Sequence, residues 1–151
     1  MIILTNTLQM TRFGACIDVV ISVHSSVASM RKSRRERVGL AHSNAEEPTD
    51  NCLAYYEEHT RLIRDDKTGE LHIEIGEIHL PRTATVGHVA HEALHACFAI
   101  TRVASSIDML ITSKEYGERE EAMCYLLQNL VDCCHQTINR AEKLRSKNSK
   151  K

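Results

Sequence analysis

Residues 71–100 read LHIEIGEIHLPRTATVGHVAHEALHACFAI, and this stretch decides the fold. Leu71, Ile73 and Ile75 alternate with His72 and Glu74, the two-residue period of a strand with one buried face. After Gly76 the phase slips by one residue and Ile78 and Leu80 continue it. Such a slip predicts a bulge or tight turn at Gly76-Glu77, before Pro81 ends the segment. From Thr83 to Ile100 the period changes. Val86, Val89, Ala90, Ala93, Leu94, Cys97 and Phe98 fall at the 3.6-residue spacing of a helix with one apolar stripe.

Working outward, Tyr55–Arg64 contains Leu62 and Ile63 and is followed by Asp65-Asp66-Lys67-Thr68-Gly69, a turn composition. Together with the alternating segment it predicts a hairpin or short meander over residues 59–80. Further upstream, a strand near Ile2–Leu8 and a second element through Cys16–Val23 are expected. Residues 31–51, RKSRRERVGLAHSNAEEPTDN, are polar and change sign from basic to acidic, which reads as an exposed loop or linker. Downstream, Glu118 to about Lys143 predicts a second helix with Met123, Leu126, Leu127, Leu130, Val131 and Cys134 on one face. A short helix is expected at Ile107–Ile111. The basic tail, residues 144–151, is expected to be flexible. The expected fold class is α+β: one domain over residues 1–143, with a small, mostly antiparallel sheet followed by two helices.

The 151 residues and 17.1 kDa suit a single domain, and 42% hydrophobic with 26% charged residues suits a packed core. A net charge of -1 argues against a protein that coats nucleic acid, and the absence of Trp with only 4% aromatics argues against a base-stacking platform. No window reaches the run of about 18 apolar residues that a membrane span needs. The apolar stretch Ala15–Val23 carries Asp18, and no basic residue precedes Arg12, so no secretory signal is read and a cytoplasmic location is expected. The six cysteines form no CxxC pair and read as reduced, mostly buried thiols that fill the core. The nine histidines are the compositional feature that needs a use.

Within the predicted helix, His91-Glu92-Ala93-Leu94-His95 matches HExxH. Residues i and i+4 share one helical face, so both imidazoles can reach one tetrahedral zinc. The Glu between them is placed to take a proton from a water that the metal acidifies. At this chain's composition the expected number of chance matches is roughly 0.05, so the motif is treated as meaningful. A catalytic site needs a third protein ligand, and the downstream candidates are Glu118, Glu120, Glu121, Asp132 and His135. His88 lies near the same face and is read as a neighbour. His24, His42, His59, His72 and His79 sit in loops or strands without ligand spacing.

HVAHEALHA followed by EREEAMCYLLQNLV resembles the Glu-zincin (gluzincin) metallopeptidases, in which a later helix supplies a Glu to complete HExxH. It is most similar to small metallopeptidase-like proteins encoded by phages and prophages, over about residues 70–131. The resemblance implies a minimal zincin-like domain with one Zn2+ per chain, held by His91, His95 and Glu121, the Glu directly before the small residue Ala122. It implies Glu92 as general base, Tyr125 as a partner of a metal ligand, and a peptide or protein as substrate. It also implies an edge strand that pairs with substrate, for which Glu77–Leu80 is the candidate. Location would be the host cytoplasm if the protein is phage-encoded. Helix periodicity favours Glu120 instead of Glu121, because Glu120 lies nearer the apolar face, so both stay open. Tyr116, Tyr125 and His135 are unranked candidates for oxyanion stabilisation. The metzincin pattern fails, since no Gly and third His follow His95 at the required spacing.

Two other functional classes remain. One is a catalytically weak or inactive, metal-stabilised regulatory or interaction protein of phage type. The other is a nucleic-acid-linked regulator using Arg31, Lys32, Arg34, Arg35 and Arg37 with the basic tail, a weaker reading because no aromatic or motif accompanies the charge.

Overall fold

On β2 (Ala15–His24), Ile17, Val19, Ile21 and Val23 alternate along one face and are fully buried. They centre a four-stranded sheet. A computed structural model describes residues 1–12, 15–41, 53–66, 68–107 and 116–148, with the backbone alone for some of these, including 104–107 and 116–122. Around β2 lie β1 (Ile2–Arg12), α1 (Val27–Ala41), β3 (Tyr55–Arg64), β4 (Leu71–Pro81), α2 (Val86–Ile107) and α3 (Tyr116–Asn148). The architecture is α+β, as the sequence predicts.

The sheet order is β1-β2-β4-β3, with β4 parallel to β2 and antiparallel to β3. The expected hairpin is present as β3–β4, its turn closed by Asp65 Oδ1 accepting from the Thr68 N–H at 2.9 Å. The strand expected at the sheet edge, Glu77–Leu80, is interior instead. Ile78 pairs with Ile21 on one side and Tyr56 on the other, and β3 is the edge beside it. Alternation in β4 reports burial of one face, and it carries no signal for how many neighbours a strand has.

The predicted phase slip is real. β4 carries an extra residue relative to β2 between Glu74 and Glu77, and Gly76 adopts a φ of 150° there. Through the slip, Ile75, Ile78 and Leu80 stay on one face with Ile17, Val19, Ile21 and Val23. Helices α2 and α3 cover that face through Val89, Ala93, Ala96, Cys97 and Ile100, and through Leu126, Leu130, Cys134, Ile138 and Ala141. Each fully buried Ile or Leu contributes about 1.5–3 kcal/mol, so this one interface supplies most of the apolar driving force.

The segment read as a loop from residue 31 is helical as far as Ala41, and residues 42–52 lie outside the described residues. Helix α1 covers the opposite face of the sheet, and it does so with charge. Met30 is fully buried, but Arg37 Nη1 donates to Glu57 Oε2 at 2.9 Å, Glu77 Oε2 at 3.0 Å and His79 Nε2 at 3.1 Å. Glu77 also accepts from the Ser22 hydroxyl. Arg34 stacks over the Tyr55 ring, which itself lies flat on His79 at 4.3 Å between centroids.

Helix α2 starts three residues later than predicted and runs on to Ile107; residues 108–115, where the rest of the expected short helix falls, are outside the described residues. Helix α3 continues to Asn148, so most of the tail expected to be flexible is its last turn, with Arg145 and Lys147 suited to the helix C-terminus. No helix among the described residues is long and apolar enough to cross a membrane.

Candidate functional site

Thr85 opens α2. Its Oγ1 accepts from the His88 N–H at 3.3 Å, and His88 Nδ1 accepts from the Thr85 N–H at 3.3 Å. This is the reciprocal arrangement of a capping box with His in place of the usual Glu. His88 is therefore engaged at the helix start, beside the motif and apart from it.

One turn on, His91 and His95 project from the exposed side of α2 with their Nε2 atoms 3.2 Å apart. Two imidazole nitrogens each about 2.0–2.1 Å from a tetrahedral zinc lie about 3.3 Å apart, so the pair already has the edge length of such a site. Between them in sequence, Glu92 is buried, at 7% exposed. Burial pushes its carboxyl above the usual range, against the opposing pull of His91, His95, the Tyr56 backbone N–H that donates to it, and His88. Tyr56 belongs to the edge strand β3, so sheet and helix together hold this carboxylate.

The close approach depends on Gly76. A Cβ there would lie 2.5 Å from Tyr56 Oη and 2.6 Å from the Glu57 carbonyl oxygen. Without one, Tyr56 crosses β4 and its hydroxyl donates to the Ile75 carbonyl at 2.6 Å. Beyond His95, a recess of about 440 Å³ opens between β3 and α2, lined by Tyr56, Glu58, His95, Phe98, Thr101 and Arg102. Phe98, predicted on the core stripe, is half exposed and forms part of its wall, while Arg102 and Glu58 form an ion pair at 2.6 Å.

The side chains of Glu118, Glu120 and Glu121, and of Tyr116, lie outside the described residues. Their backbone forms the first turns of α3, and α3 meets α2 close by, where Cys97 Sγ reaches the Met123 carbonyl at 3.6 Å. Tyr125 is exposed one turn past Ala122. Among the described residues, no third His, Cys, Asp or Glu brings a ligand atom within 4.8 Å of both His91 and His95. In this arrangement His88, Asp132 and His135 bring no ligand atom that close to the pair.

The described residues do bring together a group that sequence reading passed over. Cys16, Asp18 and His72 offer ligand atoms that all lie within 4.8 Å of one another and could hold a metal ion. Cys16 is half-buried, whereas Cys97 and Cys134 are fully buried. His24 and His79 are buried as well, and His59 pairs with Glu74 at 2.6 Å, so the strand histidines are structural participants. For His72 and His79 the one hint in the sequence is the alternation in β4, which places His72, Glu74 and, after the slip, His79 on one face. No family model, curated protein or solved structure matches the chain.

Proposed function

We propose that the chain is a small zincin-like, zinc-dependent peptide hydrolase acting in the cytoplasm. His91, His95 and a glutamate from the first turns of α3, Glu121 with Glu120 as the alternative, would hold the metal. The observation that carries the reading is the 3.2 Å convergence of His91 Nε2 and His95 Nε2, with Glu92 buried between them in sequence. The approach of α3 to α2 at Met123 and Cys97 supports a ligand from the turn just before Met123.

Zinc bound there would supply a Lewis acid that polarises a carbonyl and brings the pKa of water close to neutral. The protein's own part is proton transfer and alignment. Glu92, fixed by the Tyr56 N–H, takes the proton of the attacking water and returns it to the leaving amine. Among the described residues β3 has a strand neighbour on one side only, and its other side would offer backbone groups to an extended peptide, in place of the interior strand Glu77–Leu80. The recess beside His95 accepts a substrate side chain against Phe98 and Tyr56.

The test combines metal analysis with digestion of a mixed peptide library read by mass spectrometry. The wild-type protein is expected to carry zinc and cleave. A Glu92→Gln variant is expected to keep the metal and lose at least about 100-fold in turnover. Full hydrolysis by that variant, or a wild-type protein that binds no zinc, removes the reading. Zinc without hydrolysis of any peptide favours the metal-stabilised interaction protein instead.

A further inference from the structure

We propose that Cys16, Asp18 and His72 form a second metal site, separate from His91 and His95, that takes a divalent cation of the zinc class. The parallel ladder sets it up. Cys16 lies directly opposite His72 across β2 and β4, and Asp18, two residues on, shares the Cys16 face. His72 Nδ1 is 3.0 Å from Asp18 Oδ2, and Cys16 Sγ is 3.9 Å from Asp18 Oδ1. Donors around a tetrahedral zinc are separated by about 3.3–3.6 Å, so side-chain shifts of about 1 Å close this set on an ion.

Charge and burial agree with such an occupant. A thiolate and a carboxylate beside a neutral imidazole carry a charge that one dication cancels. That balance matters because Asp18 and His72 are each only 7% exposed. Cys16, less buried, leaves a path for the ion to enter. The His72 side chain is nine-tenths buried, yet its Nε2 has no hydrogen-bond partner among the described residues. The nitrogen turned toward Asp18 is Nδ1, so Nδ1 is the ring's ligand atom and Nε2 lies on the side away from the cluster. The donor set selects for zinc-like ions over magnesium or calcium, which prefer oxygen alone.

A nucleophilic cysteine fits less well. The hydrogen bond of Cys16 Sγ goes to the Asp18 carboxylate, whose negative charge opposes a free thiolate. A bound ion would instead join two strands far apart in sequence and pin one end of the β2–β4 ladder.

Cobalt(II) titration of the full-length, reduced, metal-free protein tests this independently of the hydrolase reading. His91, His95 and any glutamate contain no sulfur, so a near-ultraviolet thiolate-to-cobalt charge-transfer band reports a cysteine ligand. The band is expected in wild type, retained in a His91→Ala/His95→Ala variant, and lost in Cys16→Ser and in His72→Gln. Metal stoichiometry by native mass spectrometry should fall by one in each single-site variant, with folding checked by circular dichroism. No band in the folded wild-type protein overturns the proposal. So does a band that survives in Cys16→Ser, which would assign it to another thiol.

Discussion

Tyr56 joins three things at the scale of single residues: the Gly76 bulge, the edge strand and the Glu92 carboxylate. Gly76→Ala forces a Cβ against Tyr56 Oη and the Glu57 carbonyl at a φ of 150°, where a side chain is already strained. We expect a loss of about 1–3 kcal/mol, read from urea unfolding. Turnover should fall further than zinc content, because the carboxylate moves while the histidines stay. The same scale explains what was legible. HExxH could be read because its geometry is contained in one turn of helix. Asp18 and His72 are 54 residues apart, and only the parallel register, which no local pattern encodes, brings them together.

Helix α1 shows at the scale of elements why one helix escaped the sequence reading while α2 did not. A helix is read from an apolar stripe, and α1 docks on Glu57, Glu77 and His79, so its inward side carries Arg34 and Arg37. Its basic cluster, weighed above as a nucleic-acid contact, is in part the interface itself. Arg37→Met leaves Glu57 and Glu77 facing each other without their shared cation. We expect about 1–3 kcal/mol of destabilisation, since the site is only partly buried, and partial recovery in Arg37→Lys. An unchanged urea midpoint would show that Arg37 does not hold α1 and that Met30 and Arg34 suffice. β4 and α3 were legible for the opposite reason, since their periods reflect a single apolar face, and β3 was legible from the turn composition that follows it. The edge was misassigned because a face pattern does not count partners.

The buried histidines give the whole molecule its pH dependence. Arg37 can only donate, so His79 Nε2 accepts, and its Nδ1–H then donates to His24 Nε2 at 3.1 Å. Both rings are therefore neutral in the folded state. Burial lowers His79 to about 3, with Arg37 and His24 reinforcing and Glu77 opposing, and lowers His24 to about 4, with the N-terminal ammonium and Arg37 reinforcing. Glu57 also approaches His79, at 3.5 Å. An unfolded chain binds these protons near pH 6.5, and the folded one does so only near 4 and 3. Stability is thus unaffected by these groups above about pH 6.5 and declines as pH falls below it, approaching about 1.4 kcal/mol per pH unit for each ring. Glu77 adds to the decline at lower pH, because the Ser22 hydroxyl and the Arg37 guanidinium outweigh burial and hold its carboxyl below the usual range. Urea midpoints measured between about pH 7 and pH 5 should fall, and His79→Gln should flatten the slope. A level profile in wild type would mean the rings are charged when folded.

Strand order carries a consequence for how the chain reaches this state. β4 lies between β2 and β3, although β3 precedes it in sequence. On a ribosome, β2 emerges with one side unpaired and must wait through α1 and β3 for its second neighbour. The β3–β4 hairpin is local and closes within microseconds, whereas its insertion beside β2 is a long-range parallel pairing and slow. Pulsed hydrogen exchange during refolding should find the amides that pair β3 with β4 protected before those that pair β2 with β4. Until that docking, neither the Arg37 cluster nor the Cys16–His72 pair exists, so any ion held there arrives only after the last strand has been made.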